Sequence, residues 1–534
     1  MSTQSFDYVV VGAGSAGCVV ANRLTASGKY TALLLEAGGA DDNFWVPIPL
    51  GMPRLLGNPA IAWLYSTVAT PSFADRSIVL TQGKMLGGSS SLNGMIYVRG
   101  QKDDYDGWAA GGCPGWAWND VLPYYKRLES IEGGSDAYHG RSGELKLSWI
   151  RQIHPTSQSF IEAAQQAGIR FNEDTNSGNQ EGIGYIQGTI YKGRRQSTSN
   201  TFLSAARARQ NLTVMTGAQV RRVTFENRRA AGVELANGTK LSARREVIVC
   251  AGTIGSPQVL QHSGVGDAAH LRSLGIDVVA DVPEVGKNLH DHLFGHLKYG
   301  IAKPSGSMNR KFTNIPAMGF ELVRWLLFGT GALNTTSAQI LGFIKSSADQ
   351  PKPDIQLAMR PFSFHIEPTG AVAVDSSPGI TVSAINVQPF SRGEVKITSA
   401  DPAARASVFT NYLSDDRDIE TLTNGIAKLR EIMRQPAIEP LITKELEPGP
   451  ATTSPQDIEA YLRRAASTVY HPVGTCRMGS DQRAVLDPRL RVCGVDGLRV
   501  IDASVMPKII SGNTNAPSIM IGEKGAELVL ADAR

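Results

Sequence analysis

Between Asp7 and Glu36 the chain carries a short unit that constrains the fold more than any other stretch. Asp7 to Val11 is a mostly apolar, valine-rich run, too short for a helix and suited to a parallel strand covered on both faces. It ends in Gly12-Ala13-Gly14-Ser15-Ala16-Gly17. A helical stretch from Ser15 to Thr25 follows, then a second apolar run, Thr31 to Leu35, which closes on Glu36. Together these predict a βαβ unit that binds a dinucleotide: Gly12 permits the turn, Gly14 lets backbone N–H groups approach a pyrophosphate, and Gly17 lets helix and strand pack closely. The helix N-terminus turns its positive dipole end to the phosphates. Glu36 can accept a ribose hydroxyl and would repel a 2′-phosphate, which disfavours NADP. The pattern by itself does not separate FAD from NAD.

A length of 534 residues gives room for roughly three to four domain-sized units. With 42% hydrophobic and 19% charged residues the chain has much interior, and a net charge of +4 is too thin to indicate nucleic-acid or membrane-surface binding. Five cysteines, far apart and without a CxxC pair, argue against a disulfide framework or a zinc ribbon. The start has no basic and apolar leader pattern, and no run approaches the ~20 apolar residues that span a bilayer. These features predict a soluble, cytoplasmic protein without a transmembrane segment.

Further along, Gly83-Lys-Met-Leu-Gly87-Gly88-Ser89-Ser-Ser-Leu92-Asn93 is dense in small residues, so backbone there can approach a flat ring. Glu246 to Cys250 repeats the buried-strand pattern and runs into Ala251-Gly252. Ser256 and Pro257 then read as the N-cap and first turn of a helix through His262, ended by Gly264. Asn237-Gly238 between alternating segments predicts a hairpin turn. From about 300 to 450, strand-like pieces at Asp354 to Met359, Gly379 to Gln388 and Gly393 to Thr398 predict an antiparallel, substrate-facing domain. Near the C-terminus come His471-Pro472-Val-Gly474, a short strand from Gly497 to Asp502, and Ser511-Gly512-Asn513-Thr-Asn515-Ala-Pro517. Pro517 fits the first turn of a last helix, Ser518 to Leu530, capped by Asn515 or Ala516. Read alone, His471 is a structural histidine.

In combination, residues 7–36, 83–106, 252–266 (GTIGSPQVLQHSGVG), 285–292 (VGKNLHDH), 471–479 and 498–524 resemble, in order, the motifs of glucose-methanol-choline oxidoreductases. The resemblance implies an α/β fold: a Rossmann-like FAD-binding domain interleaved with an α+β substrate domain on an antiparallel sheet. It implies FAD-domain segments at 1–155, 190–300 and 455–534, and substrate-domain segments at 156–189 and 301–454. It makes His471 the base that takes a hydroxyl proton while hydride passes to flavin N5, with Asn513 where relatives carry a second active-site His or Asn. Gly12, Gly14, Ser15, Ala16, Gly17, Glu36 and Ala37 would then hold the nucleotide. Gly87, Gly88, Ser89, Asn93, Gly94 and Met95 would lie along the flavin, with Val220, Ala251, Gly252, Asp502, Ala503, Asn515 and Pro517 completing the cofactor site.

Choline oxidases tether their flavin through a histidine in the motif at Leu92. Leucine cannot form that bond, so the resemblance implies noncovalent FAD. The His290, Asp291, His292 and His296 cluster reads as a family structural motif rather than a metal site. Gln339 falls near a glutamate of choline-oxidising relatives, which points to neutral primary alcohols rather than choline. A quinone or other acceptor is favoured over O2. A hydroxynitrile lyase with a bystander flavin is the alternative activity. Oligomeric state is not written in the sequence.

Overall fold

The computed structural model describes residues 4–150 and 152–533. Its first sheet has strand order Leu212–Met215, Ala32–Leu35, Ser5–Val11, Lys240–Val249, Arg229–Leu235 and Val220–Glu226, with Leu498–Val500 pairing beside Lys240–Val249. The strands around Ser5–Val11 run parallel, and the edge formed by Arg229–Leu235 and Val220–Glu226 is antiparallel. Val9, Val10, Leu33, Leu34, Val247 and Ile248 are fully buried, as apolar strands covered on both faces require. The helix Gly17–Thr25 crosses over between the first two strands. A Cβ on Gly17 would overlap the Gly12 carbonyl oxygen, and Gly12 sits at φ 102° against Cys250, so glycine is needed at both positions. The Asn237-Gly238 turn joins antiparallel strands as expected, and Gly264 follows the end of its helix at φ 81°.

The second sheet is wholly antiparallel, in the order Ile442–Glu447, Leu293–Ile301, Gly379–Asn386, Ile355–Arg360, Ile340–Ile344, Gly182–Tyr185. Alternation along Ile355–Arg360 sends Ile355, Leu357 and Met359 into a core with the helices Pro155–Gln166 and Asp416–Met433, where Leu422, Ile426 and Leu429 are fully buried. Each such side chain contributes about 1.5–3 kcal/mol by leaving water. Gln356, Ala358 and Arg360 consequently point the other way, toward the first sheet. The strand Leu293–Ile301 and the helix Pro455–Ala465 pack with this second sheet, although the helix and all of the strand but Ile301 fall inside 190–300 and 455–534, the segments expected for the cofactor-binding unit.

Three helix starts differ from expectation, the first by two residues, at Gly17 in place of Ser15. The helix carrying Ser256 and Pro257 begins earlier, at Gly252. The missing Pro257 N–H does not stop it, because the Thr253 carbonyl that would have accepted it takes the Thr475 hydroxyl instead, at 2.5 Å. Ser256 is an internal residue whose hydroxyl donates to Asp502. The last helix runs Asn515–Asp532 with Thr514 as N-cap, so Asn515 and Ala516 belong to its first turn. Asn515 is drawn in because its Oδ1 accepts the Ser15 hydroxyl at 2.8 Å. Among the described residues, no helix is long and apolar enough to cross a membrane.

Candidate active site

Between the two sheets lies a cavity of about 680 Å³ that reaches from Glu36 to His471 and Asn513. At one end, Glu36 closes the second strand; its carboxylate accepts Ala13 N–H at 3.0 Å and Gly38 N–H at 2.9 Å. Burial pushes its pKa up to about 6 despite those donors. Next to it, a Cβ on Gly14 would meet nothing within 4 Å. The Ser15–Asn515 hydrogen bond brings the N-termini of Gly17–Thr25 and Asn515–Asp532 to the same place, so two helix dipoles present their positive ends there. An acid for a ribose, open space over a glycine and converging helix N-termini fit the FAD expected from the sequence.

Of the residues expected at the cofactor, Gly12, Gly14, Ser15, Ala16, Glu36, Ala37, Gly88, Ser89, Asn93, Gly94, Met95, Val220, Ala251, Gly252, Asp502, Ala503 and Asn515 line this cavity. Gly17, Gly87 and Pro517 stand behind its wall. Gly87, at φ 83°, donates its N–H to Ala13 O and turns the chain into the Gly88–Ser91 segment. Leu92 lines the cavity with an alkyl side chain that has no atom able to bond a flavin. Asp502 accepts from Gly252 N and Ser504 N, which joins the C-terminal strand to the helix Gly252–His262.

The reactive end is built from three segments. His471 is held from behind: its backbone N–H donates to Asp291 Oδ1 at 2.9 Å, and Asp291 also accepts the Tyr412 and Thr468 hydroxyls. Asn513 Nδ2 donates to His471 Nε2 at 3.1 Å, so Nε2 carries a lone pair and the ring proton sits on Nδ1. That Nδ1 faces His292 Nδ1 at 3.1 Å, which must be the acceptor. Burial holds the His471 pKa down to about 3, so the imidazole is neutral at physiological pH. Asn513 Oδ1 is buried without a partner among the described residues, a polar atom turned to a group from outside the chain. The Asn513 loop is pinned by Asp104, which accepts Ser511 N–H at 2.6 Å and the Ser511 hydroxyl at 3.0 Å.

Each member of the VGKNLHDH cluster has a separate task. His290 bonds Asn288 O and Ile509 N, Asp291 supports His471, His292 faces His471, and His296 lies beside Glu447 on the second sheet. Gln339 is not in the cavity. It is buried in the scaffold, where its Oε1 accepts His154 N–H and the Ser157 hydroxyl and its Nε2 donates to Gln152 O, anchoring the start of the helix Pro155–Gln166. Gln339 therefore does not face a substrate, and the sheet row that borders the His471 end of the cavity holds Phe294, Ile385 and Gln356.

Three contributors were not foreseen. His292 was read as part of a structural motif. Arg195, fully buried, donates to Asn93 O and Asn93 Oδ1 and to Val46 O, fixing the loop beside the flavin position. Arg360 lines the cavity from the same face as Gln356, about 13 Å further along the strand. Its guanidinium donates to Ser383 Oγ and lies 5.6 Å from the Phe364 ring centre; among the described residues it has no carboxylate partner. The alternation of Gln356, Ala358 and Arg360 between apolar neighbours was the signal that could have marked this face.

A doubly wound nucleotide sheet joined to an antiparallel sheet over a neutral histidine and an asparagine defines an oxidoreductase that works through a nucleotide cofactor. Signatures of the GMC oxidoreductase family match residues 6–294 and 389–522, and the chain belongs to that family. It is 40% identical to an alcohol dehydrogenase [acceptor] of Pseudomonas putida, covering 98% of this chain and 96% of the relative. It is 41% identical to an oxygen-dependent choline dehydrogenase of Paraburkholderia xenovorans, covering 99% and 95%. The crystal structure of pyridoxine 4-oxidase from Mesorbium loti superposes with a TM-score of 0.88 at 29% identity over 98% of each chain.

Proposed function

We propose that the protein is an FAD-dependent alcohol dehydrogenase that oxidises a primary alcohol to an aldehyde, with His471 as base. The observation that carries this is the pairing of a neutral His471, whose Nε2 lone pair is held by Asn513 Nδ2, at the end of a cavity suited to FAD. FAD, when bound, supplies the acceptor for the hydride that leaves the alcohol carbon. When the alcohol hydroxyl replaces the Asn513 Nδ2–H at the His471 Nε2 lone pair, Nε2 takes the hydroxyl proton, because an alcohol carbon donates hydride well only as that proton leaves. Asn513 cannot take a proton at neutral pH; its Nδ2–H steadies the developing alkoxide. Asp291 and His292 position the imidazole, the first through the His471 backbone and the second at Nδ1. Phe294, Ile385 and Val469 line the reactive end and keep water from it.

Arg360, and the absence of an acid among the described residues of the cavity's second-sheet wall, disfavour a cationic substrate such as choline and favour a neutral alcohol. The relatives divide on the oxidant, one being named for an unspecified acceptor and the other as oxygen-dependent, so admitting O2 to the alcohol-reduced flavin is the test of a non-oxygen acceptor. Five cysteines without a disulfide agree with a reducing cytoplasm. Anaerobic mixing of the holoenzyme with a panel of alcohols tests the reading. Bleaching of the flavin with aldehyde formation is expected, and cyanide release from a hydroxynitrile without bleaching would make the protein a lyase instead.

A further inference from the structure

The helix Ile315–Phe328 is built the wrong way round for a soluble surface. Pro316 stands in its first turn, Asn314 Oδ1 caps it by accepting Ala317 N–H, and Gly329 ends it at φ 62°. Its outward face is apolar: Ile315 is 85% exposed, Phe320 66%, Leu327 69% and Phe328 72%, with Val323 and Leu326 also exposed. Six of the thirteen exposed large hydrophobic side chains among the described residues thus sit on one 14-residue helix. The polar residue Glu321 faces inward, where it pairs with Lys311 and accepts Ala332 N–H. Scattered exposed apolar residues are ordinary, but a contiguous face of this kind marks a contact.

The surroundings say which contact. Arg310 and Lys311 precede the helix and Arg324 lies within it. Trp325 Nε1 donates to Gly193 O, docking the turn that carries exposed Lys192 and Arg194 against the helix end. Glu321 is the one acid in 303–333, and 186–196 contains none. Across a two-fold axis these cations would meet their own copies, so a second copy of this chain is a poor occupant. An apolar stripe rimmed by cations, with exposed Tyr191 at its edge, matches a bilayer surface bearing anionic headgroups. At 14 residues, about 21 Å, the helix is too short to cross the ~30 Å hydrocarbon core and is suited to lying on it.

We propose that the enzyme docks reversibly on anionic membrane surfaces through the helix Ile315–Phe328. The inner side of this helix, through Met318, Leu322 and Trp325, and Phe312 in the turn before it pack in the cluster that holds Phe362 and Phe364, which line the cavity. Docking therefore sets the substrate end of the cavity one side-chain layer from the lipid, within reach of membrane-soluble alcohols or acceptors. The exposed face and its cations are independent of the reaction proposed for the cavity.

Co-sedimentation of the holoenzyme with phosphatidylcholine vesicles, with and without phosphatidylglycerol, tests it. Binding is expected only with phosphatidylglycerol, falling as salt rises. The double variants Phe320→Ser with Leu327→Ser, and Arg310→Glu with Lys192→Glu, should each lower the vesicle-bound fraction by about tenfold while flavin content and oxidation of a water-soluble alcohol stay unchanged. Failure to sediment with either vesicle, or sedimentation that both variants leave intact, overturns the proposal. So does a concentration-dependent dimer that Phe320→Ser dissociates, since the helix would then be covered by a second copy.

Discussion

An imidazole with an ordinary pKa of about 6.5 is about 3% neutral at pH 5, so an enzyme relying on one as base loses activity about 30-fold between pH 8 and pH 5. Burial keeps His471 at about 3, and the Nδ2–H of Asn513 on its Nε2 further favours the neutral ring. The sign is the usual one for a base, with activity lost as pH falls, but the loss should centre near 3. Flavin reduction by alcohol, followed anaerobically by stopped flow, should therefore change by less than about 1.2-fold from pH 8 to pH 5. His292→Ala removes the group that takes the Nδ1–H and opens a water-sized space beside the ring; an acid limb should then appear, with a midpoint moved up toward 6.5. Stability carries the same linkage. A histidine held neutral in the folded state costs about 1.4 kcal/mol per pH unit once pH drops below its unfolded value near 6.5. His290, held at about 3 by burial, adds an equal cost. Asp291, raised to about 6, works the other way and gains protons in the folded state between about 6 and 4. A parent enzyme whose flavin reduction falls with a midpoint between 6 and 7 would refute the assignment of a buried, neutral His471 as base.

His471→Ala should retain FAD and slow flavin reduction by about 10² to 10⁴, whereas Asn513→Ala should cost about one oxyanion donor or less, read in the same stopped-flow traces. Acid precipitation should leave the flavin in the supernatant, because Leu92 offers no tether; yellow protein in the pellet would contradict this. Neutral primary alcohols should show higher kcat/KM than choline under one acceptor, and Arg360→Gln should raise kcat/KM for choline while changing that for 1-hexanol little. Equal choline activity in parent and variant would remove Arg360 from specificity.

Local patterns were legible where one physical requirement dominates a short stretch. Gly12, Gly14, Gly17 and Glu36 are demanded by a turn, an approach and a packing distance within one βαβ unit, and the parallel strands follow from unbroken apolar runs. The antiparallel second sheet showed in its alternation. Helix starts at Gly252 and Asn515 were misread for a common reason: a local capping rule places Ser256 and Asn515 at N-caps, but each is recruited by a distant partner, Asp502 or Ser15, that only the tertiary fold supplies. Gln339 failed for the same reason in reverse, since its three hydrogen bonds to 152–157 join segments far apart in the sequence. The site's electrostatics were the least legible part. Whether His471 is charged depends on Asn513, Asp291 and His292, which approach it from 42, 180 and 179 residues away. The motif singles out His471, and the packing around it sets its charge. Arg360 is the same lesson on the substrate side. A lone arginine at a strand end carries no meaning in sequence, and it gains one only when the pleat turns it into a cavity that holds no carboxylate partner for it among the described residues.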